Sequence, residues 1–211
     1  MSRAHQVLTV LDQMFPNANV ELVHHNHFEL LIAVVLSAQT TDVSVNRVTP
    51  TLFSKYPTPL LLSQAKTVDI ENTLKSIGLY RNKAKNIKML SLVLHEKYND
   101  QVPSKRKDLE SLPGVGRKTA NVVLSNAFGI PALAVDTHVA RVSVRLGLAK
   151  ASDNVLEIEH KLMRKIPKEK WQKAHHQLIF FGRYHCLARN PKCFECPLFD
   201  ICKYDDKQQN K

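Results

Sequence analysis

SLPGVGRKTANVV, residues 111–123, is the stretch whose reading decides the fold. Gly114 and Gly116 flank one apolar residue, Val115, a pattern that makes a tight turn and keeps side chains away from the backbone. Apolar spacing on either side predicts one helix over residues 107–112 and another over 117–128. Leu112 and Val115 then bury inward and lock the turn. Amide N–H groups at the start of the second helix are left for a phosphate oxygen, assisted by the helix dipole. Arg117 and Lys118 add positive charge at the same place.

Helix, hairpin and helix in this form suit sequence-independent binding of the DNA backbone, and docking alone would account for the segment. Lys118, one turn into the second helix, has two readings. It is either a phosphate-binding lysine or an amine that attacks C1′ of a nucleotide held close by. Attack requires the neutral amine, which a helix N-terminus, the neighbouring Arg117 and desolvation all favour. Asp136, in Ala134-Val135-Asp136-Thr137-His138, precedes another apolar-periodic run and reads as an ordinary N-cap. A carboxylate beside an amine in a basic site also stabilises positive charge building on a deoxyribose, and one residue can do both. His138 is a site residue or a polar residue of the first helical turn.

Working outward, the pattern is helical nearly throughout, with no convincing strand pair. Helices are expected over residues 4–14, 28–37, from Thr40 or Thr41 to Tyr56, 60–65, 68–76, 81–98, 137–146, 154–163 and 168–183. The segment 28–37 is apolar almost all round, which places it at the centre of a helical domain. Lys83, Lys85 and Lys88 read as the solvated face of helix 81–98. Residues after Cys202 are polar and expected to fray. The fold class is all-α.

Thirty Lys and Arg against nineteen Asp and Glu leave a net charge of +11 over 211 residues. Such a surplus favours a polyanionic partner, because binding releases the counterions condensed on it. With 44% hydrophobic and 23% charged residues the chain has ordinary globular composition. The first fifteen residues lack the apolar core and cleavage site of a signal peptide. The most apolar run, residues 30–36, is far shorter than a membrane span. A cytoplasmic protein without a membrane partner is expected, and in a reducing compartment its cysteines favour metal over disulfides.

Those cysteines are Cys186, Cys193, Cys196 and Cys202, spaced C-x6-C-x2-C-x5-C. Four thiolates in so short a loop enclose one tetrahedral metal or a cubane cluster. Zinc ribbons usually present two CxxC pairs and only one is present here, which makes zinc the lesser reading. Arg189 and Lys192 lie between the first two cysteines, on a loop suited to phosphates or serving only to pin the C-terminal region.

LPGVGRKTANVV, then AVDTH, then the cysteine spacing, together with LSAQTTD (36–42) and IGLYRNKAKNI (77–87), closely resemble the endonuclease III family over essentially the whole chain. The resemblance implies a six-helix domain over residues 20–130, ending in the hairpin. It implies a second helical domain from residues 1–19 and 131–211, with the cluster loop at 186–202 and a DNA-binding groove between the domains. It makes Lys118 the nucleophile, Asp136 its assistant, and the four cysteines the ligands of one 4Fe–4S cluster. Gln39 fills the gap left by an extruded nucleotide, and Ile77 and Leu79 wedge the duplex; helix-end packing is the plainer reading of the last two. Leu112, Gly114, Val115, Gly116, Arg117, His138, Arg189 and Lys192 complete the DNA-contact set. The implied partner is double-stranded DNA carrying oxidised pyrimidines or abasic sites, met by a monomer that works in the cytoplasm at the bacterial nucleoid. The implied activity is that of a base-excision glycosylase with abasic-site lyase. A monofunctional adenine mismatch glycosylase lacks the lysine at position 118 and usually adds a C-terminal domain. A non-catalytic DNA-binding module with a structural metal is the more distant alternative.

Overall fold

The computed structural model describes residues 2–208, and among these every regular element is helical. The chain divides into two compact units, Glu21–Ile130 and Met1–Val20 with Pro131–Lys211.

The first unit is built around α2 (His27–Leu36), whose residues from Phe28 to Leu36 are all buried. Asn26 caps it, accepting from the Glu29 amide at 2.9 Å. The Glu29 carboxylate in turn accepts from the His25 amide at 2.8 Å, which ties the residue before the cap to the first turn. Each fully buried leucine of such a helix contributes about 1.5–3 kcal/mol by leaving water. Around α2 lie α3 (Asp42–Lys55), α4 (Pro59–Gln64), α5 (Thr67–Leu74), α6 (Tyr80–Tyr98), α7 (Arg106–Glu110) and α8 (Arg117–Phe128). Of these, α3, α6 and α8 pack directly on α2, while α4 and α5 pack on α6. The unit therefore holds seven helical segments, and α7 is little more than one turn. Thr41, not Thr40, caps α3 by accepting from the Ser44 amide at 3.3 Å.

Two lysines of α6 depart from the solvated face expected of them. Lys83 is buried and donates to the Thr40 hydroxyl at 2.5 Å. Lys88 donates to the Ala65 carbonyl at 2.8 Å, closing the end of α4. Only Lys85 of the three is exposed. Loops crossing the helix cover part of its polar face, which helical spacing alone does not record.

The second unit packs α1 (Arg3–Met14), α9 (Thr137–Arg145), α10 (Val155–Lys165) and α11 (Trp171–Tyr184) around Leu11, Val139, Val142, Leu162, Leu178 and Phe181. A 3-10 turn at Lys168–Lys170 precedes α11, so the helix begins later than its apolar spacing suggests. A Cβ at Gly182 would come within 3.0 Å of His138 Cβ and 3.1 Å of Val142 Cγ2, so glycine permits the close approach of α9 and α11. Asp12 ties α1 to α11, accepting from Lys173 at 2.6 Å and from Gln177 at 2.9 Å. Residues after Cys202 are not frayed as far as they are described. A 3-10 turn spans Asp205–Gln208, and Lys207 donates to the carbonyls of Phe199 at 2.8 Å and Cys202 at 3.0 Å. Residues 209–211 lie outside the described residues. Among the described residues no helix is long and apolar enough to cross a membrane.

Candidate functional site

The hairpin is formed by Leu112, which is buried, accepting from the Val115 amide at 3.1 Å. Gly114 takes φ +78, in the left-handed region, and a Cβ there would meet Asn86 at 3.1 Å. Gly116 is the N-cap of α8 and has no side chain to close the first turn, which also contains no acidic residue. The helix therefore starts with amides that no side chain caps, at its positive end. Arg117 and Lys118 stand exposed on this turn, whereas Val115 is buried beneath it.

In the same unit Gln39 and Leu79 share an unusual property: both bear side chains on left-handed backbone, at φ 53 and φ 58. Both are exposed. The Gln39 carbonyl lies 3.9 Å from where a Cβ of Gly78 would sit, so the two turns adjoin. Ile77 differs from its neighbour. It is buried at 3% exposure, against 56% for Leu79, and packs inside the unit rather than facing a ligand. Its carbon chain finds more apolar contact there than at the surface, which is the helix-end packing reading of this residue.

In the other unit, Asp136 caps α9, accepting from the Val139 amide at 2.8 Å. His138 is the second residue of α9, its Nδ1 3.3 Å from Arg141 Nη2. Arg141 also donates to the carbonyls of Gly182 at 2.7 Å and Cys186 at 3.2 Å. Four residues on, Arg145 donates to the Sγ of Cys186 at 3.4 Å and to the carbonyls of Leu187 at 2.6 Å and Ala188 at 3.1 Å. Neither arginine was marked by the sequence pattern. Their i, i+4 spacing on a helix of strong apolar periodicity was the available signal, and it reads equally as an exposed polar edge.

The four cysteines line one cavity of about 330 Å³, counting its open mouth. Burial pushes the Cys196 thiol up to about 11, and burial with the nearby Cys186 and Cys202 raises Cys193. A cation bound among them favours the thiolate form. Four cysteine thiols lining one cavity are the donor set of a thiolate-ligated iron–sulfur cluster. Arg145, Lys192 and Lys207 line the same cavity and match the net negative charge that four thiolates bring. Arg189 and Lys192 are exposed on this loop, and Asn190 between them takes left-handed φ 50.

Comparison with known proteins agrees with this geometry. Residues 32–168 match the HhH-GPD superfamily base excision DNA repair protein family, and residues 186–202 match the iron-sulfur binding domain of endonuclease III. The chain is 57% identical to endonuclease III of Bacillus subtilis (strain 168), over 97% of this chain and 93% of that protein. It is 46% identical to endonuclease III of Escherichia coli (strain K12), over 96% and 95%. A solved structure of a trapped endonuclease III–DNA covalent intermediate superposes with a TM-score of 0.94 at 55% identity, covering 99% of this chain and all of that one. A thermostable thymine-DNA glycosylase superposes at 0.87 with 25% identity, covering 97% of each chain. With a helix–hairpin–helix, a cysteine-lined cavity and this likeness along nearly its whole length, the chain belongs to the endonuclease III family of base-excision DNA repair enzymes, and its cofactor is a 4Fe–4S cluster.

Proposed function

We propose that this glycosylase and abasic-site lyase removes oxidised pyrimidines from duplex DNA with Lys118 as the nucleophile. The observation that carries the reading is the exposed Lys118 amine on the first turn of α8, beside amides that no side chain caps. Those amides and Arg117 hold a backbone phosphate, which brings the adjoining sugar to the amine. The Lys118 nitrogen bonds to C1′ and the bond from C1′ to the base breaks. The base leaves with the electron pair and is then protonated. Opening of the sugar ring yields an imine between Lys118 and C1′. Loss of a C2′ proton expels the 3′ phosphate by β-elimination, and hydrolysis frees the lysine. Asp136 stabilises the positive charge that develops on the sugar while it caps α9.

A base inside the stack is out of reach, so the nucleotide is extruded. Gln39 fills the space it leaves and Leu79 enters the duplex beside it; their exposure on adjoining turns supports these roles. His138, at the start of α9, is assigned to the DNA-contact residues as well. Cys186, Cys193, Cys196 and Cys202 are the ligands of the cluster. When bound, the cluster supplies iron–thiolate bonds that hold the loop on which Arg189 and Lys192 meet phosphate. The protein acts as a monomer, at the nucleoid of a bacterial cytoplasm. Borohydride reduction in the presence of abasic DNA tests the reading: a covalent protein–DNA adduct is expected, and its absence would refute imine chemistry.

A further inference from the structure

Lys83 is 4% exposed, a depth at which a charged side chain is costly to bury. Its ammonium donates to the Thr40 hydroxyl at 2.5 Å, and no carboxylate among the described residues forms an ion pair with it. The backbone of the same residue is also engaged, since its amide donates to the Leu79 carbonyl at 3.0 Å, the first hydrogen bond of α6. One residue therefore bonds both to the turn of Gln39 and Thr40 and to the turn that ends in Leu79. Each turn contains a side-chain-bearing residue on left-handed backbone, Gln39 in one and Leu79 in the other. Such conformations persist only where surrounding contacts impose them.

We propose that Lys83 is a positioning residue, whose ammonium fastens the Gln39–Thr40 turn to the start of α6 so that Gln39 and Leu79 meet duplex DNA as one rigid wedge. The inference rests on the reading of Gln39 and Leu79 given above. A methionine would fill the same volume without desolvating a charge, so the ammonium is costly to the fold. Burial alone holds this lysine below the ordinary lysine range, in keeping with a neutral hydroxyl as its partner. What the ammonium adds is direction. A methionine lets the Thr40 turn rotate away, whereas Lys83 holds its hydroxyl at a fixed point one helical turn from Leu79.

The test uses the cluster-loaded full chain carrying Lys83→Met. Single-turnover borohydride trapping is measured on one abasic oligonucleotide, paired in a duplex and unpaired. In the single strand nothing has to be unstacked or wedged. The expected result is a melting temperature equal to or above that of the parent, with the duplex-to-single-strand rate ratio lowered tenfold or more. Fluorescence of 2-aminopurine opposite the abasic site should also rise less on binding. Thr40→Val should reproduce the fall, and the double variant should add nothing to it. An unchanged ratio, independent additive losses, or equal losses on both substrates with a lowered melting temperature would each overturn the proposal. Gln39→Ala and Leu79→Ala are run beside it. If neither lowers the ratio, the wedge reading itself fails. If both lower it and Lys83→Met does not, only the role of Lys83 is lost.

Discussion

Arg145 stands over the Tyr204 ring, its guanidinium carbon 4.0 Å from the centroid, while the nitrogens of the same fork reach Cys186 Sγ and the carbonyls of Leu187 and Ala188. The arginine is 9% exposed. Its own carbonyl accepts from the Lys203 amide at 2.7 Å and from Cys202 Sγ at 3.2 Å. One residue of α9 thus touches the chain at both the first and the last cysteine of the loop.

Replacing Arg145 with Met should leave the carbonyls of Leu187 and Ala188 without this donor and loosen the start of the cysteine loop. Arg145→Lys should restore little, since an ammonium cannot serve the thiolate and two carbonyls with one planar fork. Both variants should bleach in air faster than the parent, followed by visible absorption and bound iron. Bleaching at the parental rate in both would limit the fork to packing against Tyr204.

How much of this was legible beforehand depended on whether the signal was local. The hairpin and the cysteine spacing are local: two glycines flanking one apolar residue and four thiols within residues 186–202 constrain the chemistry before any packing is known. Helix α2 was equally plain, since a run apolar on every side has to be central. Lys83, Lys88, Arg141 and Arg145 were not legible. A long charged side chain looks alike in sequence whether it reaches water or a carbonyl of a distant loop, and only the tertiary path of that loop decides. Ile77 and Leu79 make the same point, being two residues apart and opposite in exposure because Leu79 turns into left-handed backbone.

Stability should depend on pH through His176. Burial, and secondarily the charge of His175, lower its pKa from 6.5 to about 3. Above pH 6.5 it is neutral in both states and contributes no pH dependence. Between 6.5 and about 3 the unfolded chain binds a proton that the folded chain refuses, so stability falls as pH falls, by up to about 1.4 kcal/mol per pH unit. His176→Gln should remove about one proton from the slope of unfolding free energy between pH 4.5 and 6, measured by urea titration. An identical slope in the variant would show that His176 is not the group responsible.

Lys192 stands exposed on the cysteine loop near Arg189, and its backbone amide, which alanine keeps, donates to the His185 carbonyl at 3.2 Å. Lys192→Ala should remove one phosphate contact, and visible absorption of the cluster checks that the loop stays in place without this cavity-lining charge. Binding to undamaged duplex should weaken, and its log–log dependence on salt should flatten by about one unit. Parental salt dependence would assign the loop a purely structural role.

The last prediction separates Lys118 from Asp136. Lys118 supplies the atom that bonds to C1′, so Lys118→Gln should abolish borohydride trapping, base release and strand cleavage together. Binding to abasic DNA should largely survive, because the amides at the start of α8 and other basic side chains still hold phosphates. Asp136 acts through its charge, and removing such stabilisation typically slows the chemistry about a hundred- to a thousand-fold, roughly 3–4 kcal/mol. Its other task is the bond from the Val139 amide at 2.8 Å, which asparagine can also accept. Asp136→Asn therefore tests the carboxylate with little penalty to α9, and melting temperatures check that it does. This variant should release bases slowly yet still be trapped on a preformed abasic site, where departure of the base is already complete. A Lys118→Gln protein trapped at the parental rate would remove Lys118 as nucleophile. An Asp136→Asn protein with parental glycosylase rates would reduce Asp136 to the cap of α9.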